Sequence, residues 1–497
     1  MKLSELVKNI SITEVVGDTE KEITNIVYDS RKAKEASLFV AMRGAQFDGH
    51  RFIVDAIGSG ASAVAVEDDS IINDDYFLSH HTTKLLVPST RRALALVSSN
   101  FYGHPAEKLK VVGITGTNGK TTSTYLIKSI MQAAGERVLL VGTITYSLND
   151  DPLEAVTNTT PESLDLHRMM AQAIENGADS AVMEVSSHSL VMDRVYGIPF
   201  KVALFTNLTQ DHLDFHRTME EYFKAKKILF DSLPTTSIAI SNIDDPYGKR
   251  IVADASVKKL FYGFGQGADF RIVKSSFGID GTSIAVRYHG KDFSITSNLI
   301  GKFNIYNLAA AFAAAVSIGY DPSKACDALS KVQGVKGRFE RIDSGKGFVV
   351  VVDYAHSPDS LEKTLQSARE MLASAAKGGR LITVFGCGGN RDRTKRPKMG
   401  KIADELSDIA IVTSDNPRFE DPEAIADEVL AGMSVNNKRV LRIVDRHEAI
   451  SEALKRALPN DIVVLAGKGH EDYQHVKGVK HHFDDREEVE EQLSLRN

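Results

Sequence analysis

The residues Gly116-Thr117-Asn118-Gly119-Lys120-Thr121-Thr122 have the types and order needed to hold a polyphosphate. Gly116 and Gly119 let the backbone approach phosphate oxygens with no Cβ in the way. Lys120 supplies a point charge for the terminal phosphates, and Thr121 or Thr122 a hydroxyl for Mg²⁺. The strict pattern G-x-x-x-x-G-K-[ST] would place glycine at Ile114, so this is a variant phosphate loop. Its chemistry is the binding of a nucleoside triphosphate. Two other polar stretches carry candidate metal ligands: Glu184 in Glu184-Val185-Ser186-Ser187-His188, and His212 in the run from Thr206 to His216. A lone histidine is more often a packing residue than a ligand. Here a carboxylate and an imidazole come from two separate strand ends, which favours function.

Four more polar clusters follow predicted strands near the C-terminal end. They are Asp353-Tyr354-Ala355-His356, the glycine-rich run Gly386 to Arg393, Ser414-Asp415-Asn416-Pro417-Arg418 and Gly467-Lys468-Gly469-His470-Glu471. Repeated Arg, Asp and Glu at strand ends suit a zwitterionic ligand, because a guanidinium grips a carboxylate with two hydrogen bonds. The glycine cluster lacks the G-x-G-x-x-G spacing of a dinucleotide site.

The elements that must position these groups are strands alternating with helices. Residues 109–114 read as a buried strand and 121–134 as a helix, so turn N–H groups and the positive helix end converge on one point. Strands at 179–185 and 201–208 would end on the same edge of a parallel sheet, where ligands bind in such folds. A helix over 220–230 has an apolar side and three lysines, Lys224, Lys226 and Lys227, among which charge alone does not choose. Residues 301–307 open an Ala-rich helix at 308–318, and their asparagines either cap it or touch a ligand. Before the loop, strands are expected at 23–28, 37–42, 61–67 and 84–88 and helices at 51–59 and 90–102, with polar loops at Asp29-Ser30-Arg31 and Arg43 to His50. After residue 336 strands are expected at 347–353, 380–386, 408–413, 439–444 and 461–465, and helices at 359–377, 397–406, 422–433 and 446–457. The fold class is α/β, in three domains: 1–107, a central 108–335 with the phosphate loop, and 336–497.

A chain of 497 residues is too long for a single core. Its 42% hydrophobic and 25% charged residues fit a soluble globular protein. A net charge of −6 with no basic face argues against nucleic acid as a partner. Two cysteines, Cys326 and Cys387, cannot form a disulfide framework and point to a reducing cytoplasm. No apolar run reaches the length of a membrane span, and the first residues lack the apolar core of a signal peptide.

The combination of Gly116–Thr122, Glu184–His188, Thr206–His216 and Ala225-Lys226-x-x-Leu229-Phe230 resembles the Mur ligases of peptidoglycan synthesis. Asp29-Ser30-Arg31, Asn158-Thr159-Thr160-Pro161-Glu162-Ser163 and Asp415-Asn416-Pro417-Arg418 make it similar to the members that add the third amino acid. The resemblance implies an N-terminal UDP-binding domain, a central ATPase domain and a C-terminal Rossmann-like domain. It implies that Ser30 and the loop Gly44–His50 hold the uridine diphosphate, and that Asn158, Thr159, Thr160, Ser186 and Arg194 position the muramoyl-dipeptide arm. Lys226 matches the family's carbamylated lysine (N6-carboxylysine), which converts an amine into an anion able to hold Mg²⁺. Glu184, His212 and Thr121 would complete the metal set, with Lys120, Lys226 and His212 as catalytic groups. Asn304, Arg338 and Asp353 match ATP contacts. Arg391, Asp415, Asn416, Pro417, Arg418, Gly467 and Glu471 would form the amino-acid pocket.

The implied reaction is ATP-dependent addition of meso-2,6-diaminopimelate to UDP-N-acetylmuramoyl-L-alanyl-D-glutamate through an acyl phosphate, by a monomer in the cytoplasm. Diaminopimelate differs from lysine by a second carboxylate at the distal end. Arg418 would pair with that carboxylate but face lysine's ammonium instead, a mismatch of about 2–5 kcal/mol. Addition of L-lysine is the nearest alternative, and a folylpolyglutamate-synthase-like ligase or a nucleotide-dependent switch are more distant ones. No general base for the incoming amine stands out; His212 and His356 are candidates.

Overall fold

The computed structural model describes residues 1–44, 48–375, 378–434 and 439–495. The chain divides into two compact units. One comprises Met1–Lys120, Met131–Leu208 and His212–Leu260; the other comprises Thr121–Ile130, Thr209–Asp211 and the chain from Phe261 onward.

The first unit holds two sheets. The smaller has the order Glu14–Val16, Thr83–Leu86, Ala61–Val66, Ser37–Val40, Asn25–Val27, parallel except for its first pair. The antiparallel edge Glu14–Val16 and the short helices Leu3–Leu6 and Asp74–Ser79 lie outside what the sequence pattern predicts. At three to six residues they are too short to show a period. The larger sheet places Lys110–Thr115 between Ser180–Glu184 and Val202–Phe205, with Val138–Val141 and Ile238–Asn242 outside them, all parallel. The chain then turns back in two antiparallel strands, Tyr146–Leu148 and Asp151–Glu154. Strands such as Val202–Phe205 are buried throughout, as a sheet covered on both faces requires. Each Val, Leu or Ile taken from water there contributes about 1.5–3 kcal/mol.

The sheets are joined by polar links as well as packing: Tyr28 Oη donates to Asp165 Oδ2 at 2.7 Å. Asp165 sits on the helix Ser163–Glu175, which also buries His167. Burial pushes the His167 imidazole down from 6.5 to about 4, with His104 adding repulsion. The unfolded chain therefore binds the proton first, so stability present above pH 6.5 is lost as pH falls from there through about 4. Replacing His167 with Gln is expected to flatten thermal denaturation across that window; an unchanged pH slope would count against it.

In the second unit, Phe270–Gly278, Gly281–Tyr288 and Lys291–Ser297 form an antiparallel meander. The C-terminal sheet has the order Glu340–Asp343, Val349–Asp353, Ile462–Ala466, Leu381–Phe385, Ile409–Val412, Val440–Arg442, parallel except for its first pair. The helices Pro358–Ala375, Lys395–Leu406 and Pro422–Leu430 cover one face, and Arg446–Arg456 with Asp485–Ser494 cover the other. The expected strands and helices are present to within a few residues. The hairpin Tyr473–Val476/Val479–His482 and the final helix are additions. The Ala-rich helix begins earlier than expected, at Phe303, and Asn304, Ile305 and Asn307 extend its buried stripe. No helix among the described residues is long and apolar enough to cross a membrane.

Candidate active site

Strand register explains why the first site assembles. Glu184 pairs with Ile114 and Phe205 with Thr115, so the phosphate loop, the Glu184 carboxylate and Thr206-Asn207 leave the sheet at one edge. The loop is held by its neighbours. Asn207 accepts from Thr117 N through its carbonyl at 2.8 Å and from Asn118 N through Oδ1 at 3.0 Å. Thr206 Oγ1 and Asn207 Nδ2 both donate to the Asn118 carbonyl, at 2.7 and 3.1 Å. Lys120 curls over the loop, its Nζ 3.0 Å from Gly116 O and 2.9 Å from Thr117 O. Thr121 and Thr122 open the helix Lys120–Ala133.

Gly116 has φ +148°, and a Cβ there would lie 1.9 Å from Thr206 Oγ1. Gly116→Ala is expected to cost about 1–3 kcal/mol of stability and to weaken nucleotide binding. Thermal denaturation and nucleotide titration check this, and unchanged values for both would contradict it. Gly119 also has positive φ, +86°.

The helix Met219–Asp231 starts at an N-cap, Thr218 Oγ1 accepting from Glu221 N at 3.1 Å, with acids in its first turn. Of its three lysines, Lys224 is exposed and Lys227 pairs with Asp231 and Asp254. Lys226 alone is buried, 1% exposed. Its Nζ donates to Gly116 O at 2.8 Å and lies 4.5 Å from the Tyr222 ring centroid. Tyr222 Oη in turn is 3.3 Å from Thr117 Oγ1. Sequence reasoning missed Tyr222 as a site residue and read it as apolar helix packing.

Beside this lies an aromatic and imidazole cluster. His212 has left-handed backbone, φ +53°, and its ring stands 5.0 Å from His188 and 6.2 Å from Tyr222. Strained conformations of this kind persist where surrounding structure enforces them, often at functional sites. His216 Nε2 meets Ser187 Oγ at 2.8 Å, and burial drives the His216 imidazole down to about 4. Glu184 is 1% exposed. Thr143, another residue the sequence did not mark, donates to it from N at 2.8 Å and Oγ1 at 3.1 Å. Thr159 Oγ1 touches Thr143 Oγ1 at 3.1 Å, and Thr160 Oγ1 donates to the Glu184 carbonyl and accepts from Ser186 N. Arg194 donates to Thr160 O at 2.9 Å and pairs with Glu162. Asn158 joins through its backbone N–H to Tyr146 Oη. These expected substrate residues therefore form one connected patch. Among the described residues no three His, Cys, Asp or Glu side chains are grouped to hold a metal.

In the smaller sheet, Ser30 begins a short 3₁₀ turn capped by Asp29, whose carboxylate also takes Arg31. Of the loop 44–50, residues 45–47 lie outside the described residues. His50, 1% exposed, is clamped between Asp48 and Glu67 N.

In the second unit the strand ends Asp353, Phe385, Val412 and Ala466 share one edge. Asp353 accepts from Phe339 N, Ala355 N and Thr364 Oγ1, while burial raises its pKa. Arg338 lies over the Tyr354 ring at 5.0 Å, its buried Nε without a hydrogen-bond partner. Asn304 sits inside the helix rather than before it, donating to Ile300 O and accepting from Asn307, so its side chain serves the helix start.

The other cluster surrounds Arg418. This residue has φ +54°, fixed by its N–H to His475 O at 2.8 Å and its carbonyl to Lys477 N at 2.6 Å. Its guanidinium donates to Gly389 O at 2.9 Å. Asn416 Nδ2 donates to Glu471 Oε2 at 2.7 Å, and Asn416 Oδ1 accepts from His475 N. Pro417 O lies where a Cβ on Gly389 would fall. Asp415 is buried with Oδ2 against Gly467, where a Cβ would come within 2.7 Å. Burial, with Asp415 nearby, raises the Glu471 pKa. Arg391 is exposed, its guanidinium 3.4 Å from the neighbouring Asn390 carbonyl. The cluster thus brings together the Arg418 guanidinium, the Asp415 and Glu471 carboxyl groups and the buried Lys468, whose Nζ lies 3.6 Å from Glu471 Oε2.

Three family models match in succession: "Mur ligase family, catalytic domain" over 22–102, "Mur ligase middle domain" over 114–315 and "Mur ligase, glutamate ligase domain" over 337–469. The chain belongs to the Mur ligase family. This Mur ligase is similar to the UDP-N-acetylmuramoyl-L-alanyl-D-glutamate–2,6-diaminopimelate ligase of Syntrophomonas wolfei, 46% identical over 496 residues and 99% of both chains. It is 43% identical to the enzyme of that name from Geobacter metallireducens, covering 98% of each. A solved structure of an enzyme so named matches with TM-score 0.72 at 31% identity, covering 100% of this Mur ligase and 99% of the other chain. The α/β architecture expected from the sequence is that of the family.

Proposed function

We propose that this Mur ligase adds meso-2,6-diaminopimelate to UDP-N-acetylmuramoyl-L-alanyl-D-glutamate at the expense of ATP, a step of peptidoglycan synthesis. The observation that carries the reading is its end-to-end likeness to enzymes named for that reaction. The three-domain division at 107/108 and 335/336 belongs to the same reading, as does action as a monomer in the cytoplasm.

ATP is assigned to Gly116–Thr122 with Asn304, Arg338 and Asp353, the UDP substrate to Ser30, Asn158, Thr159, Thr160, Ser186 and Arg194. The amino acid is assigned to Arg391, Asp415, Asn416, Pro417, Arg418, Gly467 and Glu471. In the first step the D-glutamyl γ-carboxylate attacks the γ-phosphorus, and ADP leaves. Two anions must meet, and Lys120 offsets the repulsion as charge moves onto the transferring oxygens. The buried Glu184 carboxylate and a Thr121 hydroxyl are hard donors suited to Mg²⁺, whereas the bare Lys226 ammonium is not; as a carbamate, Lys226 would bring two oxygens, and His212, which shares Tyr222 as a neighbour, would bring a nitrogen. These residues would hold magnesium, which when bound would supply charge neutralisation at the phosphates. In the second step the amine of diaminopimelate adds to the acyl carbon, and the tetrahedral intermediate expels phosphate. Arg418 orients the distal carboxylate, and Asp415 and Glu471 take an ammonium.

The test is phosphate release with each substrate omitted in turn, then with equal diaminopimelate and lysine. Release that requires the dipeptide, ATP and diaminopimelate, with the diaminopimelate tripeptide as main product, supports the reading. A lysine tripeptide as main product, or release without the dipeptide, contradicts it.

A further inference from the structure

Behind the turns that carry Asp415 and Gly467 lies an ion pair that the reaction above does not use. Arg446 and Asp485 are both fully buried, with side-chain exposures of 0%. Arg446 Nε and an NH2 group grip the two Asp485 oxygens at 2.7 and 2.6 Å, a bidentate arrangement. The same guanidinium reaches Ala466 O at 3.3 Å and Ser414 O at 3.5 Å. These carbonyls belong to the residues immediately before Gly467 and Asp415.

The placement of Arg446 is unfavourable on local grounds. It is the first residue of the helix Arg446–Arg456, where the helix dipole opposes a cation. Burying an ion pair also gains little stability over apolar packing, since desolvation cancels most of the attraction. A pair that merely joined two helices could be replaced by leucines. What apolar residues could not do is bind two carbonyls from separate strand ends at one charged centre.

We propose that Arg446, held by Asp485, is a positioning residue for the amino-acid pocket, fixing the Ser414-Asp415 and Ala466-Gly467 turns against each other. The proposal rests on the assignment of Asp415 and Gly467 to that pocket. Asp485 orients the fork, the fork holds the two carbonyls, and Asp415 is thereby kept against Gly467, where a Cβ would meet Asp415 Oδ2 at 2.7 Å.

The test is the double variant Arg446→Met with Asp485→Leu in the full-length protein, because removing either partner alone strands a buried charge and threatens folding. Amide hydrogen exchange over 413–418 and 466–471, read without substrate, is expected to speed up while the melting temperature stays near that of the parent. In turnover the KM for diaminopimelate is expected to rise about tenfold or more, with kcat and the KM for ATP changing less than about twofold. Arg446→Lys, which keeps charge without the fork, is expected to recover only part of the affinity. Unchanged exchange in both segments, or an unchanged KM for the amino acid, overturns the proposal. A parent enzyme that uses lysine instead would overturn the assigned substrate, and the exchange measurement would still decide the role of Arg446.

Discussion

Arg418→Gln is expected to remove the preference for diaminopimelate over lysine. The guanidinium is only partly exposed and is held in a left-handed backbone by the hairpin that follows. Paired with a carboxylate in such a site it is worth about 2–5 kcal/mol, equivalent to a fall in kcat/KM for diaminopimelate of roughly 30- to several-thousand-fold. Two effects compete in this variant. Arg418 also donates to Gly389 O at 2.9 Å, so its loss loosens the glycine loop and weakens any amino acid. Only loss of the charge distinguishes the two substrates, so the quantity to measure is the ratio of kcat/KM for diaminopimelate and lysine. A ratio near unity is expected. Retention of the parent ratio would remove Arg418 from the specificity pocket.

Lys226→Arg is expected to lower kcat by about 10²–10³-fold, the scale of losing a main electrostatic contact to the transferring group. Arginine keeps the positive charge, but its guanidinium is not the primary amine that CO₂ converts to a carbamate. If Lys226 acted as a cation near Gly116 O, arginine would preserve much of the rate. The carbamate account predicts otherwise, and it predicts that the parent enzyme loses activity in CO₂-depleted buffer and regains it with bicarbonate. Carbamate formation releases a proton, so the recovery should be stronger at higher pH. Parent-like kcat in the variant, together with indifference to CO₂, would leave Lys226 as a structural donor to the loop.

How far these features were legible from sequence depended on the length scale that carried them. The phosphate loop was legible because its glycines, lysine and flanking apolar strand are contiguous. Glu184 was legible because it ends a strand whose parallel register with Lys110–Thr115 follows from the α/β pattern. Lys226 was not separable from Lys224 and Lys227 by charge, since only the tertiary fold buries one of the three. Tyr222 and Thr143 were missed because their roles are contacts to residues far along the chain. Arg446 looked like an ordinary helix residue, and nothing local to it announces Asp485, thirty-nine positions later. The short edge strand Glu14–Val16 and the hairpin beside Arg418 were missed for another reason, since three or four residues carry too little periodicity to be recognised.

The most direct measurement of the central claim follows oxygen rather than rate. With oxygen-18 in both positions of the D-glutamyl γ-carboxylate, phosphorylation of that group makes one labelled oxygen the bridge to phosphorus. Capture by the amine then breaks the carbon–oxygen bond, so the inorganic phosphate released should carry a single oxygen-18 for each tripeptide formed. Phosphate free of the label, with tripeptide still accumulating, would mean that the carboxylate is never phosphorylated.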